Sequence, residues 1–234
     1  MSTTFVLLQA AEQEQIDFIE LAIKGGWVML PILLLSVIAI FIFSERFLAI
    51  HRASKVDNHF MSNIREYILS SRTDAAIALC QASAIPQAHL IEKGIKRIGA
   101  PLSDIQTAIE TEGNLEVARL EKGLAILAMI AGGAPMLGFL GTVTGMVRAF
   151  FNMANAGNNL DIQLLSSGIY EAMVTTIAGL IVGVIAFFGY NLLISQVQRV
   201  VFQLEASTME FMDMLYSKKQ RSSESEVASF KPEI

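Results

Sequence analysis

The sequence predicts an all-α integral membrane protein with three transmembrane helices and long cytoplasmic helical extensions. Three observations carry that fold class. Hydrophobic residues make up 53% of the chain and charged residues 17%, with a mean hydropathy of +0.51, well to the apolar side of soluble averages. The apolar residues gather into three charge-free runs, 27–44, 124–147 and 172–194, each long enough to cross a hydrocarbon core about 30 Å thick. Between and after these runs the chain is charged and periodic as amphipathic helices are.

Residues 1–26 set Glu12, Glu14, Asp17 and Glu20 against Lys24, with Ile16, Ile19, Leu21 and Ile23 spaced for a short amphipathic helix on a membrane surface. A cleavable signal peptide is not expected, because a positive leading region is missing. The first span, 27–44, opens on Trp27 as an interfacial anchor, tolerates Pro31 in its first turn and ends at Glu45-Arg46.

Residues 48–122 read as a cytoplasmic helical domain. Phe60, Ile64 and Ile68 share a helix face, Thr73 and Pro86 open two further helices, and Gly99 with Pro101 closes the last of these. Ser103-Asp-Ile-Gln106 predicts a capping box. With no proline from there to Pro135, one unusually long helix is expected to run into the second span. Cys80, the single cysteine, excludes an intramolecular disulfide and reads as a small buried apolar residue.

The second span, 124–147, is crowded with Ala131, Gly132, Gly133, Ala134, Gly138, Gly141 and Gly145. Glycine costs about 1 kcal/mol per position in an ordinary helix, so this density predicts very close backbone packing, with a kink at Pro135. Arg148 closes the span, and 148–170 covers a short periplasmic loop rich in Asn and Gly and the approach to the third helix. The third span, 172–194, contains Gly179-x-x-x-Gly183, a spacing that lets membrane helices approach. Val197, Val200, Val201, Leu204, Phe211, Met212 and Leu215 continue the helical pattern through an extension over 195–217, whose stripe should pack on the soluble domain. A disordered tail is expected over 218–234.

Fifteen of the 17 basic residues lie after the first span or after the third. The Lys/Arg bias therefore places both segments in the cytoplasm, with the N-terminus and the 152–167 loop outside.

Glu171 stands at the head of the third apolar run, and a carboxylate in a membrane helix marks an ion or proton pathway by default. The competing reading makes it a helix N-terminal cap favoured by the dipole. Thr175 and Thr176 lie about 40° and 140° from Glu171 around the helix, so hydroxyls line two of its sides. Thr142 and Thr144 add hydroxyls in the second span. No metal site is expected, since His51, His59 and His89 are scattered, and no phosphate loop, since the Gly-rich run lies in a span and lacks a Lys-Ser/Thr ending. Nothing in the chain supports nucleic-acid binding. No cofactor is expected, and the chain is not read as an enzyme.

Gly138-Phe-Leu-Gly141-Thr-Val-Thr-Gly145-Met and Gly168-Ile-Tyr-Glu171-Ala-Met-Val-Thr-Thr176-Ile-Ala-Gly179-Leu together resemble the MotA/TolQ/ExbB proton-channel family, above all ExbB and TolQ. The three spans, the outside N-terminus, the cytoplasmic insertion and the Glu45-Arg46 exit fit the same resemblance. It implies that Glu171 is the conduction-associated glutamate, that Thr142 and Thr176 face the pore, and that Pro135 is the proline of the second span. It further implies a homo-oligomeric ring, a pentamer in the best-known members, in a bacterial inner membrane. The ring would surround an ExbD- or TolR-like single-span partner bearing a membrane aspartate, and would drive a periplasmic TonB-like effector. Thr175 is a further pathway candidate, and Arg148, a departure from the family's pattern, either tunes ion access or snorkels to headgroups. Gly138, Gly141, Gly145, Gly179 and Gly183 are assigned to helix packing. A TolQ-like envelope role and a MotA-like motility role remain open, as does a self-sufficient channel. A solute transporter fits poorly without internal repeats, and an inert scaffold leaves the acid and threonines unexplained.

Overall fold

The computed structural model describes residues 25–54, 59–155 and 162–229, and these are helical with short connections. The expected surface helix before residue 25 lies outside the described residues. Among the described residues seven helices follow in order: α1 Met29–Ala53, α2 Phe60–Leu69, α3 Thr73–Ala82, α4 Pro86–Ile95, α5 Leu102–Glu121, α6 Leu124–Asn155 and α7 Ile162–Ser229. Three of these stretches, in α1, α6 and α7, are long and apolar enough to cross a membrane.

The chain divides into two compact units, Met1–Ile42 with Ile126–Tyr190, and Phe43–Ala125 with Asn191–Ile234. The first is the apolar unit. Leu30, Leu34, Phe41, Met136, Phe139, Val147, Ile185 and Phe188 are exposed on it. In water so extensive an apolar surface would promote association, whereas in lipid it is the expected exterior.

In the second unit the core forms as the sequence periodicity predicts. Phe60, Ile64 and Ile68 of α2 are buried, as are Ala76 and Cys80 of α3, Leu90, Ile91 and Ile95 of α4, and Ile105 and Ile109 of α5. From α7, Val197, Val200, Leu204, Phe211, Met212 and Leu215 are buried as well. Phe211 and Ile109 close on Gly94, where an added Cβ would stand 2.6 Å from the phenyl ring and 2.7 Å from the Ile109 methyl.

Polar contacts fasten α4 to α5. His89 Nδ1 lies 2.9 Å from Glu116 Oε1, Arg119 also pairs with Glu116, and Lys93 reaches Glu112 at 3.3 Å. His89 is thus a hydrogen-bond partner of Glu116 as well as a half-exposed surface residue. Arg46 donates to the carbonyl of Arg119 at 3.2 Å, serving one of the carbonyls that the end of α5 leaves without a helical donor. Burial, with the negative charge of Glu92 adding to it, pushes the Cys80 thiol up to about 12. Hydrogen bonds from Lys96 and then Gln81 hold Glu92 itself below the usual carboxylate range.

The structure corrects several expectations. The long helix from the soluble domain into the second span is broken: α5 ends at Glu121, and Gly123 adopts φ +83 before α6 begins. That left-handed backbone is open to glycine and costs other residues about 1–2 kcal/mol, so a glycine here ends a helix. The capping box does not form. Pro101 occupies the cap position without a side-chain cap bond, and the Ser103 hydroxyl bonds Asp104 instead. Helix α6 runs through Pro135 without interruption, as a helix kinked at proline also does.

The loop between the second and third spans is shorter than expected, because α6 continues to Asn155 and α7 starts at Ile162; residues 156–161 lie outside the described residues. Helix α7 also runs on through Ser229, past the expected onset of disorder at Lys218. Its sequence from Asn191 onward has neither glycine nor proline before Pro232, so nothing local stops it. Lys218 Nζ donates to the carbonyl of Ile68 at 2.8 Å and reaches Ser71 Oγ at 3.2 Å, capping the end of α2.

Candidate functional site in the apolar unit

Helices α6 and α7 pair through their glycines. A Cβ on Gly138 would meet the Thr175 carbonyl at 3.0 Å and Thr176 Cα at 3.1 Å, and one on Gly179 would meet the Ala134 carbonyl at 2.6 Å and Gly138 Cα at 2.9 Å. A Cβ on Gly145 would meet the Ala172 Cβ and the Gly168 carbonyl, both at 3.0 Å, while Gly141 leaves room for the Thr175 side chain. Gly183 lies against the Pro135 ring, and its Cβ position is 3.1 Å from the Ala131 carbonyl, the one that proline deprives of its helical donor. Without an aqueous driving force between them, membrane helices associate through such close van der Waals contact. All five expected packing glycines thus act within one chain. Gly132 and Gly133 have nothing within 4 Å of an added Cβ.

This seam brings two of the expected site residues together. The hydroxyls of Thr142 and Thr176 hydrogen bond directly across it. Thr176 Oγ1 is also 3.1 Å from the Gly138 carbonyl and 3.3 Å from that of Ala172, and Thr142 Oγ1 lies 3.3 and 3.4 Å from the same two. Each hydroxyl carries one hydrogen, so one threonine donates to the other, which in turn donates to a carbonyl. Thr175 is placed differently. It is 1% exposed, packs under Gly141 and donates to the Ala172 carbonyl at 2.9 Å, so its polarity is spent on its own helix. Thr144 likewise donates within α6, to Leu140 at 2.9 Å or to Gly141 at 3.0 Å.

Glu171 lies more than two turns inside α7, which begins at Ile162. Capping the N-terminus of that helix is therefore not its role, since the orphan N–H groups belong to the first turn. Its side chain is 25% exposed, and its Oε1 accepts from Arg148 Nη1 of α6 at 3.2 Å. The backbone of Gly26 closes on the same carboxylate: Gly26 has φ +66, and a Cβ there would collide with Glu171 Oε1. Among the described residues of this unit, Arg148 and Glu171 are the only charged side chains, and they are paired.

The acid, its cation and the threonine pair come from helices α6 and α7, and Gly26 from the turn before α1. Chemically the arrangement offers a partly solvated carboxylate at one end of an apolar helix pair and two linked hydroxyls deeper in the seam. Sequence reasoning did not assign Gly26, and it gave Arg148 no partner. The signal for Arg148 was the scarcity of charge around it, since a cation and an anion flanking two adjoining spans have few other groups to pair with.

The comparisons with known proteins agree with this architecture. A profile of the MotA/TolQ/ExbB proton channel family matches residues 82–206, which takes in α6 and the membrane portion of α7. The chain is 33% identical over 187 residues to the putative biopolymer transport protein ExbB-like 1 of Synechocystis sp., covering 74% of this chain and 69% of that one. It is 39% identical over 75 residues to the biopolymer transport protein ExbB of Neisseria gonorrhoeae, covering 32% and 34%. The Tol-Pal system protein TolQ of Haemophilus influenzae matches at 35% over 78 residues, covering 33% and 34%. With half of its length matched by the family profile and the glycine seam, threonine pair and membrane glutamate all inside that match, the chain belongs to the MotA/TolQ/ExbB proton channel family.

Proposed function

We propose that this chain is the ExbB-like subunit of a proton-driven motor in a bacterial inner membrane. Copies of it, five in the expected assembly, form a ring around an ExbD-like single-span partner that carries a membrane aspartate. Proton passage between ring and partner does mechanical work on a periplasmic TonB-like effector. The N-terminus faces the periplasm, while the charged helical unit and the C-terminus face the cytoplasm. Glu171 and the Thr142–Thr176 pair serve the proton path, with Thr175 buried as packing.

The observation that carries this reading is the carboxylate of Glu171, with Arg148 the only other charged side chain among the described residues of the apolar unit, beside threonines that bridge the seam. One acid per subunit does not span a hydrocarbon core about 30 Å thick, so a second chain must complete the path. Because Gly138, Gly141 and Gly145 are occupied within the protomer, ring contacts fall to the other face of α6, where Gly132, Gly133, Met136, Phe139 and Val143 meet lipid or a neighbouring copy. A TolQ-like role in envelope maintenance is the second reading, and the similarity to the Haemophilus TolQ favours it.

Reconstitution into liposomes with an imposed proton gradient tests the reading. The ring alone should conduct poorly, and the complex with a single-span, aspartate-bearing partner should conduct. That flux should fall to background in Glu171→Gln and in the complex lacking the partner's aspartate. Rapid selective flux through the ring alone would establish a self-sufficient channel instead.

A further inference from the structure

We propose, building on the proton-path reading, that Arg148 and Gly26 are positioning residues that latch the Glu171 carboxylate, so that ion uptake at Glu171 requires this contact to open. Three independent features converge on the carboxylate. Arg148 Nη1 is 3.2 Å from Oε1. Gly26 approaches so closely that a side chain would displace the carboxylate, and its φ of +66 is disfavoured for residues that carry one. No other charged group among the described residues of the unit competes for either partner.

A carboxylate in a partly desolvated site is costly alone and tolerable when paired. The latch therefore defines the resting state. The two partners differ in freedom: the Arg148 side chain is 54% exposed and that of Glu171 25%. Arg148 can swing its guanidinium outward along its flexible stem, as interfacial arginines do, whereas Glu171 is held between α6 and the Gly26 turn. Arg148 is thus the member that moves, and opening exposes the acid without repacking the glycine seam.

Carbodiimide labelling of Glu171 in membranes containing the full-length chain reads the latch directly, because the reagent adds to a protonated, accessible carboxyl. Glu171→Gln supplies the unlabelled blank. Wild type should label slowly and Arg148→Gln several-fold faster, because removing the guanidinium uncovers the carboxylate that it contacts in the closed state. Arg148→Lys, which keeps the charge, should return most of the protection. Blocking the guanidinium of folded wild-type protein with phenylglyoxal should accelerate labelling in the same way, which covers the case of a variant that does not accumulate. Equal labelling of wild type, Arg148→Gln and phenylglyoxal-treated protein would overturn the latch, whatever the flux assays give. Flux that persists in Glu171→Gln would overturn the proton-path reading, whatever the labelling gives.

Discussion

The hydroxyl of Thr142 on α6 and the hydroxyl of Thr176 on α7 hydrogen bond to each other across the glycine seam. Removing one leaves the other to bond a carbonyl of Gly138 or Ala172, so the two side chains act as a unit. Thr142→Val and Thr176→Val should each lower stability by about 1 kcal/mol, and the double variant should lose clearly less than the sum. Thermal unfolding in detergent measures this. Strict additivity would mean that the hydroxyls do not share a bond.

Close packing gives a contrast between two glycines of one helix pair. A Cβ on Gly179 would press on the Ala134 carbonyl and Gly138 Cα, backbone atoms that have no rotamer by which to turn aside. Gly179→Ala should therefore cost about 1–3 kcal/mol by overpacking. Gly132→Ala meets nothing within 4 Å inside the protomer and, where lipid rather than a neighbouring copy covers that position, should be neutral or stabilising by up to about 1 kcal/mol, because alanine is the better helix former. Melting temperatures of the two variants beside wild type decide the matter. A Gly132→Ala loss as large as that of Gly179→Ala would show that a second chain covers that face.

Cys80 gives a prediction with a definite sign in pH. Its thiol is buried and pushed up from 9.0 to about 12, so the folded protein holds this proton where the unfolded chain releases it. The resulting stabilisation is fully present below pH 9 and fades as pH rises through about 12. Maleimide should accordingly leave the native protein unmodified at neutral pH and react promptly once denaturant is added. Fast native labelling at pH 7 would contradict the burial.

The spans, the buried faces of α2 and α7, and the seam glycines were legible because each rests on a period that survives in one dimension. Thr176, Gly179 and Gly183 recur near one helical face, and the structure sets that face against α6. The Arg148–Glu171 pair was not legible, since it joins residues separated by a loop and depends on how two helices are registered. Gly26 was hidden for the same reason, its role being to leave space for a residue far along the chain. Gly123 carries the signal that ends α5, but the expectation of one long helix rested on the lack of proline and did not consider it. The apparent capping box at Ser103 failed because Pro101, two residues earlier, already occupies the cap.

The pairing of Arg148 with Glu171 also bears on how a membrane potential would act on the apolar unit. Moving one charge across a membrane potential of 100 mV involves about 2.3 kcal/mol, and for opposite charges 3.2 Å apart that work nearly cancels. These are the only charged side chains among its described residues, so while they are paired the field exerts almost no net force on that part of the unit. On the proposed proton path, a proton taken up by the carboxylate would leave Arg148 uncompensated, and the membrane field would then act on a net positive charge. On that path, a chemical event at one oxygen atom would become an electrical force on the helices that carry it.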